Sequence, residues 1–140
     1  MSIKNLTRKE SRKHIFALVF QLSFYEDIDI DEMLSCYIEE QELVDISDNS
    51  RQFIYDEFKG TYTHLEELDK IISDNLKGWT LNRLNKVDLA VLRLALYEII
   101  YGDIPKSVAI NEGIEISKTY SSDEAPNFIN GVLGTIAKDM

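Results

Sequence analysis

The chain has 140 residues, 44% hydrophobic and 29% charged, with a formal net charge of −10. That length suits one domain with a substantial core. Two prolines, six glycines and no alternating strand-like runs indicate an all-α protein, and neither a membrane span of about 18 apolar residues nor a charged-then-apolar leader is present.

Thr7-Arg8-Lys9-Glu10 has the form of a capping box. It predicts a first helix from Arg8 to about Tyr25. Ile15, Leu18, Val19 and Leu22 repeat at helical spacing and form its core stripe. Asp27 to Asp31 is a connector. A second helix is predicted from about Asp31 to Gln41, with Met33, Leu34, Tyr37 and Ile38 inward. It carries the single cysteine, Cys36. One cysteine excludes an internal disulfide and indicates a reducing, cytoplasmic location. With no histidine near it in sequence, Cys36 reads as a core residue. After a break at Asp45 to Asn49, one long helical pattern runs from Ser50 through Ile54, Phe58, Thr61, Leu65, Leu68 and Ile72. Gly60 inside it costs up to about 1 kcal/mol against alanine, which predicts a kink or a close contact there.

Gly78 and Trp79 mark a joint, with Trp79 expected to anchor it. A short helix around Leu81 to Leu84 leads into "VDLAVLRLALYEIIYG", which is apolar on nearly every side and reads as a central, buried helix. Pro105 opens the next helix, through "SVAINEGIEISKTY". "SSDEAP" is a turn, and Pro126 is tolerated at the start of the last helix, whose stripe is Ile129, Val132, Leu133 and Ile136. The sum is six or seven helices in two packed subdomains, about 1–75 and 76–140, of a single domain.

Charge is unevenly spread. Lys4, Arg8, Lys9, Arg12 and Lys13 against Glu10 give the first thirteen residues a balance of +4, so the remainder carries −14. Basic residues at a helix amino end oppose the macrodipole and repel one another, so they cost stability. On a wheel of 100° per residue, Lys9, Lys13, Phe16, Phe20 and Phe24 share a face away from the core stripe. Arg8 and Arg12 sit on its flank. Basic residues beside exposed aromatic rings suit a single nucleic-acid strand, the cations on phosphates and the rings under bases. Alternatively, Phe16 and Phe24 pack against the second half of the chain.

Catalytic and metal chemistry lack their usual signals. His14 and His64 are fifty residues apart and without cysteine partners. No GxxxxGK loop occurs. "DIDIDE" at 27–32 fails as a calcium loop, because Glu32 replaces the required glycine and Ile38 the closing glutamate. Nothing assembles a nucleophile, a base and an orienting group, so no catalytic residue, metal or cofactor is expected.

The blocks "NRLNKVDLAVLRLALYEIIY", "IPKSVAINEGIEISKTY" and "PNFINGVL", with "RKESRKHIFALVFQ" at the amino end, resemble the NusB family of bacterial transcription antitermination factors in order and spacing. The resemblance covers about residues 8–24 and 76–136. It implies an all-α fold, no enzymatic activity, and binding to the boxA element of nascent single-stranded RNA. It also implies a heterodimer with NusE, a small-subunit ribosomal protein, within the RNA polymerase antitermination complex on ribosomal RNA operons. Matched position by position, Arg8, Lys9, Arg12, Lys13, Phe20, Glu124, Asn127 and Phe128 fall at RNA-binding positions. Leu81, Asn82, Asn85 and Asp88 fall in the region facing NusE. Lys9 stands where a second arginine is common and Asn127 where lysine is frequent, while Phe20 lacks the hydroxyl of a frequent tyrosine. Arg93, Tyr97, Glu98, Asn111 and Glu112 read as a buried polar network, and Gly131 as a point of close helix approach.

Two other readings remain. One is an RNA-positioning module of the type fused to RNA methyltransferases, against which stands the lack of such a segment after Met140. The other is a purely structural helical interaction protein. The free protein is either a monomer or a self-masking homodimer.

Overall fold

The computed structural model describes residues 3–140. Among these residues seven α-helices follow in order: α1 (Arg8–Gln21), α2 (Ile30–Glu40), α3 (Asp48–Thr63), α4 (Leu65–Asp74), α5 (Lys86–Tyr101), α6 (Lys106–Tyr120) and α7 (Ala125–Lys138). A 3-10 turn, Leu81–Arg83, precedes α5. No described helix is long and apolar enough to cross a membrane.

The helix starts follow from their caps. Thr7 accepts from the Glu10 N–H and Glu10 reaches back to the Thr7 N–H, so the capping box is present. Asp29, Ser47 and Asn85 cap α2, α3 and α5 in the same way, each satisfying an orphan amide of the first turn. Helix α1 stops four residues short of Tyr25. Its last amides tighten to i→i+3 bonds, Ser23 to Phe20 and Phe24 to Gln21, and Asp27 then turns the chain at φ 50°.

The expected long third helix is two helices. His64 interrupts it: its Nδ1 lies 2.9 Å from the Gly60 carbonyl oxygen, which the His64 amide also uses. A carbonyl only accepts, so this ring nitrogen carries the proton. A side chain competing for a ladder carbonyl is a recognised cause of a helix break. Gly60 itself is a close contact, because a Cβ there would overlap the Tyr97 ring and hydroxyl.

Helix α5 is the hub. It packs against α1, α3, α4, α6 and α7 and is buried almost all round, as its apolar sequence requires. Leu92 and Leu96 share the core with Ile15, Leu18, Phe58, Ile72 and Leu133. At the α5–α6 contact, an added Cβ on Gly113 would meet the Ala95 Cβ at 3.2 Å. Gly131 has no such role, since its Cβ position faces open space. Two more expectations are corrected. Cys36 is exposed rather than in the core, and Trp79 is no buried anchor, being 55% exposed.

Candidate nucleic-acid interface

The start of α1 is held in place from outside the helix. Lys4 pairs with the loop before α3, its N–H donating to the Asp45 carbonyl (2.9 Å) and its carbonyl accepting from the Ser47 N–H (2.7 Å). The Leu6 N–H donates to Ser50 Oγ at 3.0 Å. These bonds bring the first turn of α1 beside α3. There the Arg8 guanidinium lies 3.9 Å from the centroid of Phe53, a cation–π contact. Phe53 lies 45 residues from Arg8, so no local pattern in the sequence links the two.

Arg12 does not join the exposed group. It is 6% exposed, and its Nε donates to both Glu98 oxygens at 3.0 and 3.1 Å. Glu57 shares this buried site. Burial, then the charge and hydrogen bonding of Glu98, push the Glu57 carboxyl up to about 8, with Arg12 pulling the other way. It is therefore largely protonated at neutral pH. Arg12 with Glu98 and Glu57 ties α1, α5 and α3 together from inside. Arg12 is thus largely buried on Glu98, whereas the sequence expectation placed it among the exposed RNA-binding cations.

The expected polar network divides accordingly. Arg93 pairs with Asp69 through two bonds of 2.8 Å and reaches Ser23 at 3.2 Å. Glu98 serves Arg12 instead of Arg93. Tyr97 and Glu112 are half-buried and Asn111 is exposed, so these three are not part of a buried network.

Lys9 and Lys13 are exposed and face the other way, towards α6. They line a small groove with Glu112, Glu115 and Thr119. The acids temper the local positive charge, although Lys118 engages Glu115 at 3.5 Å.

Behind Lys13 the aromatic face of α1 continues. Phe20 is half-buried against the core and Phe24 is 55% exposed. Phe16 is buried, stacked on Tyr120 of α6 with ring centroids 5.3 Å apart. Phe16 thus packs against the second half of the chain. Nearby, His14 Nδ1 lies 2.6 Å from the Tyr37 hydroxyl. Burial lowers the imidazole pKa, and burial with the neighbouring Tyr120 raises the phenol to about 12. Both groups are therefore uncharged at neutral pH.

A second groove, of about 360 Å³, gathers Phe128, Glu124 and Ser122 with Trp79, Asn85 and Asp88. Glu124 and Asn127 are exposed at the start of α7, and Phe128 is half-buried. Trp79 and Phe128 also line a third groove, with Asn127 on its edge. On the other side, Asn82 and Asn85 are exposed and Leu81 is half-buried. Asp88 is 8% exposed. One of its oxygens accepts from Ser121 Oγ (2.6 Å) and the other from Asn85 Nδ2 (3.0 Å). It thus holds the α5 start to the end of α6. Glu124 and Phe128 of the expected RNA-binding set and Asn85 and Asp88 of the partner-facing set therefore line one groove, while Lys9, Lys13 and Phe20 line separate ones. Among the described residues, no group of three His, Cys, Asp or Glu side chains is placed to hold a metal.

A sequence model of the NusB family matches residues 9–138. The transcription antitermination protein NusB of Acetivibrio thermocellus is 42% identical over 94% of this chain and 88% of its own. The corresponding protein of Agathobacter rectalis is 38% identical over 94% of this chain and all of its own length. The solved structure of T. maritima NusB superposes with a TM-score of 0.86 at 34% identity, covering 97% of this chain and 94% of that one. Family match, relatives and fold agree along nearly the whole length: the chain belongs to the NusB family.

Proposed function

We propose that the protein is a non-enzymatic, cytoplasmic transcription antitermination factor. It binds the boxA element of nascent single-stranded RNA as a heterodimer with the ribosomal protein NusE, within the RNA polymerase antitermination complex on ribosomal RNA operons. The observation that carries this reading is the identity of 42% with a transcription antitermination protein over nearly the full chain. The surface supports it. Arg8, Lys9 and Lys13 supply cations, with Phe20 and Phe128 as ring surfaces and Glu124 and Asn127 each in a groove that Phe128 lines. Cations near rings fit a single strand, which offers both phosphates and unpaired bases. Leu81, Asn82 and Asn85 form the face for the ribosomal protein, and Asp88 acts from beneath it as a positioning residue.

The test is salt-dependent binding of a boxA oligoribonucleotide, with and without NusE. Three phosphate contacts give a log–log salt slope of about −2 for a single strand. Arg8→Ala/Lys9→Ala is expected to flatten that slope and weaken binding. Arg12 is left intact, since its loss would disturb the fold. Equal binding by the variant and the parent protein removes α1 from the RNA site.

A further inference from the structure

Tyr120, stacked on Phe16, lengthens the aromatic face of α1. Phe16, Phe20 and Phe24 recur every fourth residue along α1. Their centroids are 6.3 Å (Phe16–Phe20) and 5.0 Å (Phe20–Phe24) apart. Tyr120 adds a fourth ring at 5.3 Å, inclined 25° to Phe16. The track therefore starts on α6, runs onto α1 and ends in solvent. Both end rings are open, Tyr120 being 49% and Phe24 55% exposed. Beside the inner rings lies a groove of about 710 Å³ with Tyr37 and His14 in its wall and Lys13 and Gln41 on its margin. That volume lies in the range of small-molecule sites.

The chemistry of the walls narrows the occupant. Aromatic faces accept any base by stacking. The uncharged His14–Tyr37 pair offers hydrogen bonds without a fixed charge to repel a neutral ring. Lys13 lines this groove and also the adjoining one with Lys9, so cations stand where the flanking phosphates would pass. Glu10, the acid on the groove margin, is engaged by Thr7 in the helix cap. Tyr120 also stands two residues before Ser122, which lines the Phe128 groove. It connects the α1 rings to the second aromatic surface through one short segment of chain.

We propose that Tyr120 is an RNA-binding residue, and that the groove between α1, α2 and the end of α6 takes a nucleobase of the bound strand, with Lys9 and Lys13 on its phosphates. This rests on the RNA reading above and extends it by one subsite. A protein side chain is the rival occupant, and the test separates the two.

The probe is a boxA oligoribonucleotide carrying 2-aminopurine at successive positions, including two nucleotides added at either end. At least one position is expected to be quenched by the parent protein and released by Tyr120→Leu, with affinity falling about 5- to 20-fold. Leucine keeps an apolar cover on Phe16, and a thermal melt checks that the fold is kept. Gln41→Lys is the second variant. It adds a cation on the exposed groove margin at the carboxy end of α2, where the helix dipole favours it. It is expected to tighten RNA binding 2- to 5-fold and steepen the salt slope by about 0.7. If RNA binds but neither variant changes it, the subsite is overturned while the RNA reading stands. If the parent protein binds no RNA at all, both fall together. If Tyr120→Leu weakens only the binding of NusE, the groove belongs to a protein and the proposal is wrong.

Discussion

Arg12, Glu98 and Glu57 form a buried cluster of one cation and two acids. Two ionised carboxylates against a single guanidinium would leave one charge uncompensated, so the fold favours the form in which Glu57 holds a proton. The sign of the pH effect follows. The Glu57 pKa is about 8 in the folded protein and near the ordinary carboxylate value, about 4.3, when unfolded. Between those values the folded state binds one more proton than the unfolded state. Stability is fully present below about pH 4.3 and declines as pH rises towards about 8. Glu57→Gln, which keeps the neutral shape, is expected to remove this decline. Urea melts at pH 5.5 and 8.5 should show the parent losing about 3 kcal/mol relative to the variant between the two; parallel melts would mean that Glu57 is ionised throughout. Arg12→Ala has the opposite character. It strands Glu98 in the core, for a loss of about 3–5 kcal/mol, readable as a drop in melting temperature whether or not RNA is present.

The α3–α4 pair turns on Gly60 and its neighbour across the core, Tyr97. Alanine at position 60 gains up to about 1 kcal/mol of helix propensity, but its Cβ would overlap the Tyr97 ring. Gly60→Ala is therefore expected to destabilise by about 1–3 kcal/mol. In a Tyr97→Ala background the same change should be neutral or stabilising. A double-mutant cycle in urea reads this coupling directly, and additive effects would show that the ring simply swings aside. This position also marks what a sequence can convey about an element. The cap of α1 and the stripe of α7 depend on residues three or four apart, so Thr7 and Ile129 could be read locally. The break at His64 was not read, although its bond to Gly60 spans only four residues; the ring is also flanked by Tyr101 from α5, 4.2 Å away and distant in sequence. Distance in sequence hid the fate of Arg12, whose partner lies 86 residues on. Trp79 misled for a related reason. Its size suggests burial, but the turn before α5 leaves it lining grooves. At the candidate site the basic and aromatic residue types were readable on α1. Their division into Arg8 on Phe53, Lys9 and Lys13 towards α6, and Arg12 inside depends on what α3, α5 and α6 place around that helix.

For the molecule as a whole, α5 decides how the halves relate. The sequence breaks near Asn75 to Trp79, which divides the chain on paper just before α5. In space α5 is buried between α1, α3 and α4 on one side and α6 and α7 on the other. The ties that cross the divide are polar as well as apolar: Arg12 to Glu98, and Arg93 to Asp69 and Ser23. A fragment of residues 76–140 would expose much of the α5 surface and leave Glu98 and Arg93 without partners. Hydrophobic burial is the dominant favourable term in folding, and its loss from the central helix exceeds the few kcal/mol by which a small domain is stable. The full chain is therefore expected to unfold in one transition. Far-UV and near-UV circular dichroism should give coincident urea midpoints. The 76–140 fragment should lack a cooperative melt, even if α6 and α7 retain some helix. Two separated transitions in the full chain, or a sharp melt from the fragment, would mean that the carboxy-terminal helices form a core without α1. The basic start would then be tethered to them and not built into the same body, and the ring track from Tyr120 to Phe24 would lose its rigid base.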